Sequence, residues 1–408
     1  MKISKESEII LIAVFILVAT GIVMIYSASA MFAERFFQDP TYFLKKQLMF
    51  AGAGLLTLFA GMTIPPKWIR DNSRSLVFFS ILFVLSVFLP GIGKTGGGAR
   101  RWIHFFNFSI QPVEFAKIAV CAYLSDYLTR KSKKITQGSL MPFIPPFLIL
   151  GVLSLALILQ PDLGSVVFIF LISFIMFFLA GLRLRYVFST LIVGLPAVMF
   201  LIIIEPYRFR RILAYLNPWD DPRGSGFQII QSFLAFALGG LKGVGLGAST
   251  QKLFYLPQSY TDFIFSIIGE ELGLLGGFIV LALFVVILIQ GLAISQKLSD
   301  PFRKYFAYSL TLIISLQAIV NMLVTTGLIP TKGMPLPFVS YGGSSLVFNL
   351  AAIGLLVSLD RHRLDEAVPD EHAANRRLSG RHSLSQAVPD EHAASRRLSG
   401  RHRLDQTD

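Results

Sequence analysis

The chain has 408 residues, 54% hydrophobic and only 15% charged, with a formal net charge of +13, whereas an ordinary soluble domain carries about 25% charged residues. No charge falls between Glu8 and Glu34, Lys46 and Lys67, Arg74 and Lys94, Arg185 and Glu205, or Glu271 and Lys297, and each gap is long enough for a bilayer, which needs about 20 residues. This pattern excludes a soluble globular protein, whose helices keep a polar face, and the single cysteine, Cys121, excludes disulfides and cysteine-based metal sites.

Apolar runs set against charged or Gly/Pro-rich breaks predict an all-α, polytopic membrane protein of about ten transmembrane helices, near 9–29, 47–64, 75–91, 110–129, 142–160, 165–181, 187–204, 263–292, 305–327 and 344–359. The first run is too long for the apolar region of a cleaved leader and is expected to be a span. With both termini cytoplasmic, the short inner segments carry Lys67/Arg70/Arg74, Arg130/Lys131/Lys133/Lys134, Arg183/Arg185 and Lys297/Arg303/Lys304, as the positive-inside rule requires.

The outer side is basic too, through Lys94, Arg100 and Arg101 in one loop and Arg208, Arg210, Arg211, Arg223, Lys242 and Lys252 in another. Topology does not account for these charges. In the first loop, Gly96-Gly-Gly-Ala-Arg100-Arg101-Trp102 combines a flexible turn, two guanidiniums and an indole. The set suits a phosphate and a sugar, or else ordinary lipid headgroups. His104 is the one histidine outside the C-terminal tail, which leaves little scope for histidine-based catalysis or metal binding.

The fourth span opens with Gln111-Pro-Val-Glu114-Phe-Ala-Lys117, where Glu114 and Lys117 share a helix face and can pair. Charges inside a span are costly, so the pair is either a structural tie between helices or part of a substrate site. Asp162, in the short turn Gln160-Pro-Asp-Leu-Gly164, suits the cap of the next helix.

The longest loop, predicted between the seventh and eighth spans at about Glu205 to Thr261, has apolar structure of its own. Arg208 to Leu216 (RFRRILAYL) has the spacing of a helix lying in the interface. The Gly-rich stretch Gly239 to Gly247 lacks the preceding strand of a dinucleotide fingerprint; it fits close backbone packing or a substrate-lining turn. Asp220 and Asp221, beside Pro218 and Pro222, fit a turn.

A catalytic base would come from the outward carboxylates Glu34, Asp39, Asp162, Glu205, Asp220, Asp221 and Asp262, or from the deeper Glu270 and Glu271. Asp262 lies where the basic loop re-enters the membrane, with apolar neighbours on its C-terminal side. Partial desolvation there would raise its pKa toward that of a useful base, although a capping role is also open. Glu270, about 12 Å further along a helix, fits a buried structural partner.

From Arg361 a polar 20-residue unit repeats almost identically, beginning at Ala367 and Ala387. The segment 361–408 is expected to be a disordered or artificially appended extension, separate from a 1–360 membrane domain. It holds nine of the 37 basic and eight of the 24 acidic residues, so the basic excess belongs to the membrane body.

Several long motifs now stand together: Gly245-Leu-Gly-Ala-Ser-Thr-Gln-Lys252, Tyr255-Leu-Pro-Gln-Ser-Tyr-Thr-Asp262-Phe-Ile-Phe265, Ile268-Gly-Glu-Glu-Leu-Gly273 and Pro330-Thr-Lys-Gly-Met-Pro-Leu-Pro-Phe-Val-Ser-Tyr-Gly-Gly-Ser-Ser345. With Gly98-Ala-Arg-Arg-Trp102, Gln111-Pro-Val-Glu114 and Gln160-Pro-Asp-Leu-Gly164, they resemble the SEDS (shape, elongation, division and sporulation) family over about residues 8–360. The Ile-Gly-Glu-Glu-Leu-Gly, Pro-Thr-Lys-Gly and Ser-Tyr-Gly-Gly-Ser-Ser motifs are more similar to the division and sporulation branch, FtsW and SpoVE, than to the elongation branch, RodA. The chain departs from the family at Tyr260 and Gln258, where a histidine and a glutamate are usual.

The resemblance implies a peptidoglycan glycosyltransferase that polymerises lipid II, the undecaprenyl-diphosphate-linked disaccharide pentapeptide, at the outer face of the bacterial cytoplasmic membrane during septal wall synthesis. It implies Asp262 as the catalytic residue, and Lys46, Arg100, Arg101, Trp102, Gln111, Glu114, Lys117, Asp162, Arg210, Lys332 and Ser340 as substrate-binding candidates. A class B penicillin-binding protein transpeptidase and other divisome membrane proteins are the implied partners, with no nucleic acid. No cofactor is required and no dedicated metal site is evident, though a divalent cation could assist. The rival readings are a lipid II transporter and a non-catalytic division scaffold. A transporter often shows inverted repeats, and none is evident in residues 1–360.

Overall fold

The computed structural model describes residues 3–386 except 92, 97–98, 106–107, 138–140, 183 and 254. Residues Gly97 and Gly98 of the outer Gly-rich turn, Arg183 of a predicted inner loop, and residues 387–408 of the tail therefore lie outside the described residues. The chain divides into two compact units, Met1–Arg361 and His362–Asp408.

Each predicted span coincides with helix. The chain runs through α1 (Lys5–Phe37), α2 (Tyr42–Thr63), the short α3 (Pro66–Asp71) and α4 (Ser73–Leu85), then a three-stranded sheet, and then α5 (Pro112–Thr136), α6 (Ile144–Leu159), α7 (Leu163–Leu179) and α8 (Leu184–Ile204). The helices α9 (Pro206–Leu216) and α10 (Phe227–Gly239) occupy the predicted long loop, followed by α11 (Ile264–Glu271), α12 (Gly273–Lys297), α13 (Pro301–Thr325) and α14 (Gly343–Gln386). Six helical segments among the described residues are long and apolar enough to cross a membrane: Lys5–Phe37, Tyr42–Thr63, Met141–Leu159, Gly273–Lys297, Pro301–Thr325 and Gly343–Asp365. The other predicted spans fall on α4, α5, α7 and α8, of which α4 and α7 are shorter apolar helices and α5 carries charge.

Small residues let helices approach closely where lipid offers no hydrophobic drive between them. A Cβ added at Gly354 of α14 would lie 2.2 Å from the Leu58 carbonyl of α2, and one at Gly21 of α1 would lie 2.7 Å from the Phe338 carbonyl. At one end of the bundle, Ser7 of α1 donates to Asp360 of α14 at 2.7 Å, and Ser4 donates to the same carboxylate. Lys297 pairs there with Glu6 at 2.6 Å, and Arg130 with Asp126 at 2.7 Å. The start of α1 and the Asp360 turn of α14 thus share an end, as an even number of crossings requires.

Two features correct the sequence reading. The outer loop read as a flexible turn is an antiparallel sheet, β1 (Gly93–Gly96), β2 (Ala99–Phe105) and β3 (Phe108–Ile110), in the order β1-β2-β3. The register pairs Lys94 with Trp102 and Thr95 with Arg100. Its strands are short, so no long alternation announced them.

The predicted eighth span is also broken. Helix α11 ends at Glu271 and α12 starts at Gly273, whose φ of +68° is the left-handed region open to glycine. A break inside a helix frees carbonyls on one side and N–H groups on the other. The Gly-rich stretch meets both sets: Val244 and Gly245 donate to the carbonyls of Glu270 and Glu271 at 3.0 Å, while Leu274 and Leu275 donate to those of Gly240 and Leu241 at 2.9 and 3.3 Å. Close backbone packing is therefore the role of these glycines. At Gly243, with φ +81°, an added Cβ would lie 2.2 Å from the Glu271 carbonyl. Gly243→Ala is expected to cost about 1–3 kcal/mol, read as a lowered melting temperature in detergent.

The side chains of the break hold the next part of the loop. Glu270, fully buried, accepts from the Thr250 N–H at 2.8 Å, the Thr250 hydroxyl at 3.0 Å and the Ser249 hydroxyl. Glu271 accepts from Lys252 Nζ at 2.9 Å and from Ser27 of α1 at 2.7 Å. The segment that leads to Asp262 is thereby fixed to both α11 and α1.

Candidate functional site

At the end of the bundle opposite Asp360, four separate segments converge. The turn between α6 and α7 is held by Arg101 of β2, whose Nε donates to the Gln160 carbonyl at 3.2 Å and whose Nη2 donates to that of Pro161. Asp162 caps α7, accepting from the Ser165 N–H at 3.2 Å and its hydroxyl at 2.7 Å. Lys332, in the segment between α13 and α14, donates its ammonium to the Gly164 carbonyl. Arg211 of α9 donates to the Thr331 carbonyl at 3.0 Å, and Tyr215, one turn on, donates to that of Leu328 at 3.1 Å.

Asp262 stands among these groups. The start of α11 has Phe263 in the capping position with no side-chain cap, so Asp262 is not its cap. A Cβ added at Gly333 would lie 2.9 Å from Asp262 Oδ2, so the absence of a side chain there lets the Lys332–Gly333 backbone lie against the carboxylate. Desolvation raises the Asp262 carboxyl to about 6, against the opposing pull of the Arg211 and Arg101 guanidiniums. Desolvation likewise pulls the Lys332 ammonium down to about 7, with the Asp162 carboxylate working the other way. Both side chains are half-buried and keep access to solvent.

Below them lies a buried polar chain. Lys117 Nζ pairs with Glu114 at 2.8 Å and donates to Gln317 Oε1 at 2.7 Å; Gln317 Nε2 donates to the Pro335 carbonyl at 3.0 Å. Both charges are buried. The ring of Phe168 on α7 lies 5.4 Å from Lys117 Nζ and 5.6 Å from Lys332 Nζ, within reach of a cation–π attraction to both.

The sequence candidates divide by position. Asp262, Arg101, Lys117, Glu114, Asp162 and Lys332 come together. Gln111 and Ser344 join the rim to α14: the Gln111 N–H donates to the Ser344 hydroxyl at 3.0 Å, which donates to the Ser109 carbonyl. Arg100 is exposed and Trp102 half-buried on the sheet. Lys46 stacks on its own helix neighbour Tyr42, donating to that hydroxyl at 2.6 Å. Ser340 is buried and accepts from the Leu336 N–H at 2.8 Å, the geometry of a turn.

Among the loop arginines, Arg211 and not Arg210 bears on Asp262. Asp221 is held low by the Ser225 N–H and hydroxyl, with a smaller contribution from Arg210. Sequence reasoning also missed Phe168, Gln317 and Asn321. Tyr260 packs its ring 4.6 Å from that of Phe43 and 5.9 Å from that of Tyr341, an aromatic wall beside Asp262. Among the described residues no cluster of His, Cys, Asp and Glu could hold a metal ion.

Fold and site together define a polytopic membrane protein that gathers cationic side chains around one desolvated carboxylate at one end of its helices. The profile of the FtsW/RodA/SpoVE family, described as a cell cycle protein, matches residues 7–365, and the chain belongs to that family. It is 43% identical over 358 residues to the probable peptidoglycan glycosyltransferase FtsW of Geobacter metallireducens, covering 88% of this chain and 95% of that one. It is 42% identical over 361 residues to the stage V sporulation protein E of Bacillus subtilis, covering 88% and 98%.

Among solved structures, a chain from a peptidoglycan synthase complex that coordinates polymerization and crosslinking superposes with a TM-score of 0.71 at 29% identity, covering 87% of this chain and 97% of that one. The rod shape determining protein RodA of Thermus thermophilus gives 0.64 at 25%, covering 87% and 96%. The FtsW and SpoVE names among the relatives agree with the division and sporulation branch read from the motifs.

Proposed function

We propose that the protein is a peptidoglycan glycosyltransferase that polymerises lipid II at the outer face of the bacterial cytoplasmic membrane, with Asp262 as general base. The observation that carries the reading is the convergence of a desolvated carboxylate with Arg101, Arg211 and Lys332 at one end of a membrane bundle. Asp262 takes the proton from the acceptor sugar's 4-hydroxyl as that oxygen attacks the donor's anomeric carbon, and the lipid diphosphate departs from the opposite face. The anomeric centre inverts. Negative charge grows on the leaving diphosphate, where preorganised cations are worth most; Arg101, Arg211 and Lys332 supply them. The displacement needs no resident cofactor, and a divalent cation is compatible as a companion of the diphosphate.

The basic short loops support ten spans with both ends of the membrane domain cytoplasmic, which puts Asp262 outside. The likeness to a peptidoglycan synthase complex supports a single-span class B penicillin-binding protein as partner, together with other divisome membrane proteins. The lipid-facing side of α12 exposes Leu274, Phe278, Leu281 and Val285 in one helical stripe, suited to a partner's span. The segment 361–408 is proposed to be dispensable for the chemistry.

The test is incubation of the purified protein, with and without its transpeptidase, with labelled lipid II. Long glycan strands are expected, with a rate that rises tenfold per pH unit below about 6, because only the ionised carboxylate of Asp262 accepts a proton, and declines above about 7 as Lys332 loses the charge that steadies the diphosphate. Movement of lipid II across vesicles without strand formation would establish the transporter instead.

A further inference from the structure

We infer that Asn321 is the positioning residue of the site: its side-chain amide ties the Asp262 turn to the Lys332–Met334 segment and so sets where the carboxylate stands. The inference rests on the reading of Asp262 as the base. Asn321 lies in the last turns of α13 and is 1% exposed. Its Nδ2 donates to the carbonyl of Asp262 itself at 2.8 Å and to that of Met334 at 2.7 Å. One amide group thus spends both of its hydrogens on two chain segments that are 72 residues apart in sequence.

The orientation of the amide is fixed by chemistry. Turned over, it would set its oxygen against two carbonyl oxygens, with no donor between them. In the orientation observed, Oδ1 is buried with no hydrogen-bond partner, an arrangement that costs stability. An apolar residue would fill the place without that cost. The polar side chain is explained by what its nitrogen holds.

What it holds is the catalytic geometry. Neither carbonyl belongs to a helix, so neither has a ladder partner. A second strap, the Tyr341 N–H donating to the Tyr260 carbonyl at 2.9 Å, joins the same two segments on the far side of Asp262. Next to Met334, Gly333 lies against the Asp262 carboxylate. The charged groups acting on that carboxylate are Arg211 from α9 and Arg101 from β2; the other titratable groups of the two strapped segments are Lys332, Tyr260 and Tyr341. Release of the Asn321 strap lets the segments part, admits water and lowers the carboxyl toward its ordinary value.

The experiment uses the full chain with its transpeptidase and labelled lipid II, measuring kcat, KM and melting temperature from pH 4.5 to 8. Asn321→Leu is expected to lower kcat about tenfold to a hundredfold, the usual consequence of a catalytic group misplaced by about 1 Å. KM should stay within about threefold, and the acid limb should move below 6. Asn321→Ser, with one donor in place of two, should fall between wild type and Asn321→Leu, and it carries the test if Asn321→Leu does not fold. A folded variant with wild-type kcat and pH profile overturns the inference. So does a loss of kcat that tracks melting temperature with the acid limb unmoved, which would make Asn321 merely structural. The two readings separate on Asp262→Asn: if that variant is inactive while Asn321→Leu behaves as wild type, only the positioning role fails; if Asp262→Asn is active, the base assignment fails first.

Discussion

Asp262→Asn is expected to lower glycan polymerisation by about a hundredfold to ten-thousandfold, the range that general-base assistance supplies, in a protein that still folds, inserts and binds its partner. Asparagine keeps the size of the side chain and one carbonyl oxygen but cannot accept the acceptor's proton. Folding should not suffer, and the direction follows from the titration. A carboxyl held at about 6 in the folded chain, above its ordinary 3.8, loses stability as pH rises between those values and carries the full penalty above about 6. Removing the charge relieves that penalty. Glycan product, melting temperature and copurification of the transpeptidase, measured together, decide the matter. A well-folded variant that builds strands within tenfold of the wild-type rate would rule out Asp262 as the base and turn attention to Asp162. The structure makes that successor less suited, since its carboxylate is already occupied as the cap of α7.

The second large effect is on stability. Lys117→Met should destabilise the protein by about 3–5 kcal/mol, because it leaves the Glu114 carboxylate buried without its ammonium and strips Gln317 Oε1 of its donor. The pair is out of water on both sides, with Glu114 6% and Lys117 4% exposed, so little screening softens the loss. Glu114→Gln combined with Lys117→Met removes the orphaned charge and should recover most of the melting temperature, the signature of a coupled pair. A Lys117→Met variant that melts like wild type yet fails to use lipid II would instead make the ammonium a direct substrate ligand. Both roles can coexist only if the double variant is stable and inactive.

How much of this was legible in the sequence depends on the range of the interaction. Long apolar runs marked the helices of the bundle, α5 among them although charge interrupts it, because lipid forces the pattern on each span locally. The Glu114–Lys117 pair was legible because three residues on one helix fix a face. The break at Gly273 was not, since apolar residues continue on both sides of it and its hydrogen-bond partners sit some 30 residues earlier in the chain. The sheet was missed for its short strands. Phe168, Gln317 and Asn321 read as ordinary contents of apolar helices, and only tertiary contact gives them meaning. Arg211 could have been found: it shares a face with Tyr215 four residues on, and those two are the α9 side chains that grip the Leu328–Thr331 segment. Arg210 lies about 100° around the helix from that face.

The interrupted helix has a consequence for how the protein is made. The Gly240–Gly245 stretch emerges from the ribosome before α11 and α12, and it holds the partners for their exposed backbone groups. Each such group left unpaired in hydrocarbon costs several kcal/mol. Until the stretch is waiting at its own end of the bundle, the nascent segment 264–297 is better off as one uninterrupted helix, as its sequence suggests. The break then forms as a late event of assembly, when the loop docks and Glu270 and Glu271 close on residues 249–252. Completion of the active end and maturation of that helix are one step of biogenesis, so a chain stalled before docking would be inserted in the membrane yet have no assembled site.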